Sequence, residues 1–232
     1  MADITLDSEL LSFRFKIILF YSLLAIFRHL ARGRACAALL GAVVVAVPGG
    51  AACAEEMPRT VVEEFYRTLA EVMKEGSALG FQGRFERIRL AFDTAFDAPL
   101  MARVVVGPGW ASAPAEQRAA MIDAFTRYSV ANYAANFKAF GGERFEVLGE
   151  RGIPAGTVVN TQIVPPGAAP VPINYLLRPV PGDWKIADVF LNGNISELAT
   201  RRSDFARTLQ DQGIPGIVAK LNAKVQELAA AK

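Results

Sequence analysis

The spacing of the apolar residues changes near residue 143, and this change limits the fold more than any other feature of the sequence. Before it, apolar side chains recur every three to four residues, which is typical of amphipathic helices. Between Arg144 and Leu191 they alternate with polar ones, which is typical of strands that bury one face. Helical spacing returns after Asn194. Helices, then strands, then helices again predict an α+β domain.

Four strands are predicted in the alternating region: Arg144 to Leu148, Thr157 to Val164, Val171 to Arg178 and Trp184 to Leu191. Short loops rich in Pro and Gly separate them, and connections this short join neighbouring antiparallel strands. We therefore expect an antiparallel meander that has Tyr175 and Leu177 on a face covered by helices.

The surrounding helices are predicted from their apolar faces and their end signals. They cover about residues 58–76, 82–96, 112–140, 194–209 and 217–228, with a short helix after Asp97. Asp97 precedes Ala98 and Pro99, so its carboxylate is expected to cap that short helix.

Residues 1–54 have the organisation of a secretory signal region. Arg28, Arg32 and Arg34 precede an apolar run over residues 35–47, and an A-x-A site follows. We expect cleavage after Ala54, which leaves one domain over residues 55–232: a helical part (55–142), a sheet (143–191) and C-terminal helices (192–232). An earlier apolar run, residues 17–27, is interpreted as an extension from a start codon assigned too early, with a membrane anchor as the alternative.

The composition of the remaining chain excludes several classes of function. The single histidine and both cysteines lie within residues 1–54, and their removal leaves equal numbers of basic and acidic residues. We therefore expect no metal, no cofactor, no nucleic-acid partner and no enzymatic activity. Carboxylate pairs among Asp93, Asp97 and Glu116, or a Ser196 nucleophile, are the catalytic alternatives, but no base stands beside Ser196.

The stretch from Trp184 to Leu209 predicts a strand that turns directly into a helix. Asn194 is expected to cap this helix, with Glu197 reaching back as in a capping box. On a helical wheel Arg202 falls on the apolar face that contains Leu198 and Phe205, so it should need a partner.

Two kinds of interior fit the many phenylalanines of this chain, which has 15 of them. Buried acyl chains gain about 0.8 kcal/mol per CH₂, so an exported protein without net charge can use an apolar cavity to hold a lipid. The alternative is an ordinary filled core, which composition alone favours.

Several short motifs carry a resemblance to a known family. They are Trp184-Lys-Ile-Ala-Asp-Val189, Gly193, Ser196, Arg202-Ser-Asp-Phe205, Phe92-Asp93, Phe96-Asp97, Met101-Ala102, Gly107-Pro-Gly-Trp110 and Glu116-Gln-Arg118. In this combination the chain resembles the MlaC, or toluene-tolerance, family of periplasmic phospholipid-binding proteins. The segments Asn174–Arg178 and Ile195–Arg202 are most similar to its hopanoid-associated HpnM branch.

The resemblance implies an NTF2-like curved antiparallel sheet of about four strands, covered by helices that enclose an apolar lipid cavity. It also implies a monomeric periplasmic carrier that shuttles phospholipid or hopanoid between membrane complexes. The implied partners are an inner-membrane transporter of the MCE/ABC type, or of the RND type for the HpnM branch, and an outer-membrane lipoprotein complex.

Twelve side chains are predicted to line the cavity, of which roughly half should touch the ligand. They are Phe92, Phe96, Met101, Trp110, Phe125, Tyr128, Tyr133, Phe137, Val159, Tyr175, Leu177 and Val189. For Arg202 the preferred interpretation is a partly buried ion pair with Asp188, and the alternative is contact with a lipid phosphate. The alternative function is that of a lipid-free adaptor in an envelope transport complex.

Overall fold

Residues 57–231 are the part of the chain that the computed structural model describes, so the predicted signal region and its cleavage site lie outside the described residues. The helices are α1 (Pro58–Lys74), α2 (Gly76–Ala95), α3 (Ala98–Val106), α4 (Ala115–Asn136) and α5 (Glu197–Ala230), with a 3₁₀ turn at Gly107–Trp110 after α3. The strands are β1 (Arg144–Ile153), β2 (Gly156–Val164), β3 (Val171–Val180), β4 (Asp183–Leu191) and β5 (Ile195–Ser196). The predicted α+β class is confirmed.

The sheet is an antiparallel meander in which each strand pairs with the next along the chain. The four predicted strands are present, and β5 is an additional strand of two residues that pairs with the end of β4. Tyr175 lies between Val159 of β2 and Val189 of β4, so these three side chains share the covered face. All three are buried.

The helices cover one face of the sheet. Helix α1 packs on β1, β2 and β4, whereas the extensive contacts of α4 are with α5, α2 and α3. The junction of α2 and α3 is attached to the sheet, because the Asp97 N–H donates to the Ile186 carbonyl at 2.9 Å. Asp97 also caps α3 as predicted, since its carboxylate accepts from the Leu100 N–H at 3.0 Å.

Two glycines bend long helices where the sequence predicted helix boundaries. Gly80 interrupts α2 with φ of 60°, and Gly213 interrupts α5 with φ of 66°. Glycine adopts these angles without the steric penalty of a Cβ atom. The backbone at Gly213, two residues before Pro215, is not helical, so α5 consists of two helical segments on either side of it, as the sequence predicted.

The predicted capping box at Asn194 is wrong. The Ser196 hydroxyl caps α5 and accepts from the Ala199 N–H at 3.0 Å. The reason is β5, which keeps the backbone extended through Ser196 by pairing it with Phe190. The helix therefore begins at Glu197, and Asn194 stays in the preceding turn.

Candidate functional site

A continuous series of aromatic contacts runs through the interior from α2 to the sheet. Phe92 stacks on Phe96 with 4.1 Å between ring centroids. Phe65 of α1 makes edge contacts with Phe96 at 4.9 Å and with Tyr133 of α4 at 5.1 Å. Such geometries are the favourable ones for aromatic pairs. This part of the series joins α1, α2 and α4.

The series continues from α4 to the sheet. Tyr133 stacks on Phe137 at 5.8 Å, and Phe137 meets Phe145 of β1 at 6.1 Å. Phe145 in turn contacts Tyr66 of α1 at 4.9 Å, and Tyr66 contacts Tyr175 of β3 at 5.6 Å. Large aromatic side chains therefore bridge the space between α4 and the sheet.

All twelve predicted lining residues belong to this interior or pack against it. Eight are buried: Phe92, Phe96, Met101, Phe125, Val159, Tyr175, Leu177 and Val189. Four are half-buried: Trp110, Tyr128, Tyr133 and Phe137. The sequence thus predicted that these side chains lie together, while their contact with a ligand stays a prediction.

Two pockets of the described residues are lined mainly by helical side chains, with Asp183 of β4 as the one strand residue among them. One, of about 270 Å³, lies between α1 and α2 and is lined by residues such as Phe65, Arg67 and Leu90. The other, of about 430 Å³, lies among α2, α3 and α4 and includes Phe96 and Ile122. Phe96 is the one predicted lining residue that either of these two pockets reaches.

Three tyrosine hydroxyls lie within the apolar interior. Tyr66 Oη and Thr161 Oγ1 are 2.6 Å apart, and Thr161 donates to the Ile173 carbonyl. Burial raises the pKa of Tyr66 to about 12, and burial raises the pKa values of Tyr133 and Tyr175 well above their ordinary range. These phenols are therefore neutral hydrogen-bonding groups.

The predicted ion pair between Asp188 and Arg202 is wrong. Asp188 Oδ1 accepts from the Val189 N–H at 2.8 Å and the Leu198 N–H at 3.3 Å, and Oδ2 accepts from Ser196 Oγ at 2.6 Å. Burial raises the pKa of Asp188, and these hydrogen bonds oppose the rise. Asp188 therefore fastens the start of α5 to β4, together with Ser196.

Arg202 is exposed and packs against the 3₁₀ turn. A Cβ atom on Gly107 would lie 2.9 Å from Arg202 Nη2, so the guanidinium rests on the glycine backbone. Among residues 57–231 no ion pair of Arg202 is found. Its predicted contact with a lipid head group is not tested by this geometry and stays a prediction.

The inward arginine of α5 is Arg201, which the sequence reasoning missed. Its side chain is 14% exposed, pairs with Glu197, and stacks over the Tyr128 ring at 4.6 Å. Burial by itself lowers the pKa of Arg201. The nearby Glu197 carboxylate and Tyr128 raise it by more, so the pKa lies above its ordinary value. The spacing of Glu197 and Arg201, four residues apart, was the signal for this pair.

The helical wheel placed Arg202 on the buried face because it counted Ala199 and Ala206, together with Leu198 and Phe205, as members of that face; both alanines are exposed. Leu198 and Phe205 mark the buried face, and this face includes Arg201 rather than Arg202. Neighbouring residues of a helix point about 100° apart. Placing the buried face one residue too far along the helix therefore puts Arg202 inside in place of Arg201.

Neither a metal site nor a membrane span is found in the described residues. Over residues 57–231, no three His, Cys, Asp or Glu side chains cluster so that they could hold a metal ion. Over the same range, no helix combines the length and the apolar character needed to cross a bilayer.

Comparisons with known proteins agree on the family and the fold. The family model described as MlaC protein matches residues 63–223. A phospholipid-binding protein from Ralstonia solanacearum, solved in complex with a phospholipid, has a similar fold with a TM-score of 0.66. The sequences are 20% identical, and the match covers 74% of this chain and 98% of that chain. No curated protein matches the sequence. Because the family model spans more than half of its residues, the chain belongs to the MlaC family.

Proposed function

We propose that this protein is a periplasmic lipid carrier that holds lipid tails between α4 and the sheet. The observation that carries the proposal is the aromatic series from Phe92 to Tyr175, an apolar wall formed by both layers. Acyl chains buried against such a wall gain about 0.8 kcal/mol per CH₂. The solved relative was crystallised with a phospholipid, which supports the same ligand class here.

Separation of α4 from the sheet would make room for the tails. Since the extensive contacts of α4 are with α5, α2 and α3 rather than with the sheet, α4 can shift against these helices while their own attachments to the sheet at Asp97 and Asp188 stay in place. Phe137 contacts Phe145 of β1, and Tyr133 stacks on Phe137; both are half-buried and would rotate to line the tails. The twelve predicted residues would then form the walls, and Arg202 would lie outside, within reach of a head group.

The setting of this carrier also belongs to the proposal. Cleavage after Ala54 would release residues 55–232 into the periplasm as a single, monomeric lipid-binding domain. The carrier would exchange phospholipid or hopanoid with an inner-membrane MCE/ABC or RND transporter and with an outer-membrane lipoprotein complex. The motifs Asn174–Arg178 and Ile195–Arg202 support the HpnM branch within the family.

Native mass spectrometry of protein expressed from the full sequence tests lipid carriage. We expect a bound lipid on the purified protein, and extraction should identify it. Phe137→Glu, which places a charge in the proposed site, should lower lipid uptake from vesicles by at least about tenfold. Phe140→Glu is the matched control, because Phe140 is three residues away and 42% exposed. Protein that is empty and takes up no lipid would refute carriage.

A lipid-free adaptor is the second candidate, and the dense packing of the interior favours it. Eight of the twelve predicted lining side chains are already buried against protein, while Leu90 and Leu148 are large exposed apolar side chains. An empty protein that co-purifies with a stable envelope partner would support this function instead.

A further inference from the structure

The pocket among α2, α3 and α4 ends on the aromatic series. Exposed side chains such as Ala119 and Asp123 form its rim, and Phe96 belongs to its floor. Phe96 lines the pocket although it is only 4% exposed. The same ring contacts Phe65 at 4.9 Å and Tyr133 at 6.2 Å. Phe96 therefore stands between an open pocket and Tyr133, which belongs to the proposed tail site.

The floor of this pocket is apolar. Ala98 and Ile122 add apolar surface beside Phe96. Thr126 also lines the pocket, but its hydroxyl donates to the Ile122 carbonyl at 2.8 Å, so the proton already has an acceptor. A hydrocarbon chain that lies on this floor leaves the Thr126 hydrogen bond intact, and the burial of its surface is favourable.

The charged side chains at the rim are paired. Arg89 pairs with Asp93 at 2.7 Å, and Asp123 pairs with Arg127 at 2.8 Å. The volume of about 430 Å³ is typical of a ligand cleft. Among the described lining residues, a charged ligand would have to break one of these pairs, whereas a lipid tail would not. The pocket thus suits an acyl chain.

The backbone at Phe96 allows its ring to turn. Phe96 lies between α2 and α3 in an extended conformation, with φ of −108° and ψ of 143°. In a helix the χ1 rotamer near +60° clashes with the preceding turn, a restriction that an extended residue does not have. The adjacent backbone is held in place, because the Asp97 N–H donates to the Ile186 carbonyl of β4. The ring can therefore swing while the helices stay joined to the sheet.

We propose that this pocket is the entrance through which lipid tails reach the space between α4 and the sheet, and that the Phe96 side chain is its gate. The head group stays outside. Helix α3 leads from the pocket to the turn on which Arg202 rests, roughly 13 Å away at 1.5 Å per residue. The inference rests on the proposed function, because only a carrier needs an entrance.

The rate of lipid transfer tests the entrance. Phosphatidylcholine vesicles contain phosphatidylethanolamine with a self-quenching fluorophore on its head group, and protein expressed from the full sequence is added. Fluorescence rises as labelled lipid leaves the vesicle for the protein, which gives both the rate and the final amount. Ala119→Trp should slow the rate by at least about tenfold, because the indole must leave the apolar floor before a tail enters. The final amount should stay the same.

Ala120→Trp is the matched control. Ala120 is the next residue of α4, is also exposed, and is not among the residues that line the pocket. Its rate should equal that of the unchanged protein. Equal rates for the two variants, or a lower final amount at an unchanged rate, overturn the entrance while carriage stands. An unchanged protein that transfers no lipid overturns carriage as well.

Phe96→Leu tests the gate in the opposite direction. Leucine covers less of the floor and lacks the stacking on Phe92, so transfer should be about fivefold faster. Phe205→Leu is the control, since Phe205 of α5 is also buried and lies outside the pocket lining. Equal acceleration by both changes would show that a looser interior speeds transfer, and would overturn the role of Phe96. If Phe96→Leu does not fold, Ala119→Trp decides.

Discussion

At the scale of the residue, the 3₁₀ turn depends on Gly107. Its φ is 73° and its ψ is −140°, a backbone conformation that residues other than glycine rarely adopt. The guanidinium of Arg202 also occupies the space that a Cβ atom would need. The glycine and the arginine of the family motifs therefore meet in space, although 95 residues separate them in the sequence.

Gly107→Ala should lower the free energy of unfolding by about 1–3 kcal/mol, because alanine is strained at this backbone conformation. Urea denaturation measures the change. Gly109→Ala is the control, since the space around Gly109 is open and its φ is not positive.

The contribution of Arg202 to that loss can be separated. The end of an arginine side chain moves easily, so the loss should be the same when Arg202→Ala is added. A loss that disappears in the double variant would mean that steric conflict with the guanidinium, and not backbone strain, requires the glycine.

At the scale of the element, Arg84 holds two helix ends together. Arg84 belongs to α2, and its side chain is buried. Its Nε donates to the Ala134 carbonyl of α4 at 2.8 Å, and its Nη1 donates to the Gly76 carbonyl at 2.8 Å. Carbonyl groups near the end of α4 lack partners within their own helix, so a side-chain donor there satisfies one of them. This role of Arg84 was not predicted from the sequence.

Arg84→Met should lower the free energy of unfolding by about 3 kcal/mol, because it removes both donors and leaves two buried carbonyls without these partners. Thermal and urea denaturation check the value. Arg87→Met is the matched control on the same helix: Arg87 forms an exposed ion pair with Glu75, and its loss should change stability little. Equal effects of the two substitutions would contradict the role of Arg84.

At the scale of the whole molecule, aromatic packing and the hydrogen bonds of neutral phenols join the helical layer to the sheet. Tyr66 of α1 reaches Thr161 of β2, and Tyr133 of α4 reaches Phe65 of α1. The phenols are protonated in the folded state because burial penalises their charged form. Ionisation and unfolding should therefore be coupled.

This coupling predicts an alkaline limit to stability. The pKa of Tyr66 is about 12 in the folded protein and about 10 in an unfolded chain. Since the folded pKa is the higher one, its contribution is fully present below pH ~10 and is lost as the pH rises toward the folded value. Tyr21→Phe and Tyr128→Phe together leave Tyr66, Tyr133 and Tyr175 as the only phenols. In that variant phenolate absorbance should stay low until far-ultraviolet circular dichroism reports unfolding, whereas the urea-denatured protein should titrate near pH ~10. Phenolate that forms in the native protein before unfolding would contradict this prediction.

The sequence by itself determined the class of the fold, the four long strands, the Asp97 cap and the membership of the interior. These features depend on local spacing: alternating residues with short loops specify a meander, and large apolar side chains are buried wherever the sheet places them. The family motifs around Trp184 and Gly107 are also short local patterns, so they could be recognised without the structure.

Only the tertiary structure decided which polar groups meet. Pairing of Ser196 with β4 sets the first residue of α5, and with it turns Arg201 inward and Arg202 outward. Arg84 finds its acceptors on α4, and Asp188 finds the start of α5 instead of Arg202. Such contacts join residues far apart in the chain, so they depend on strand register and helix rotation. A helix rotation that exchanges neighbours such as Arg201 and Arg202 changes the partner of a charged group while the broad apolar stripe of the helix stays buried.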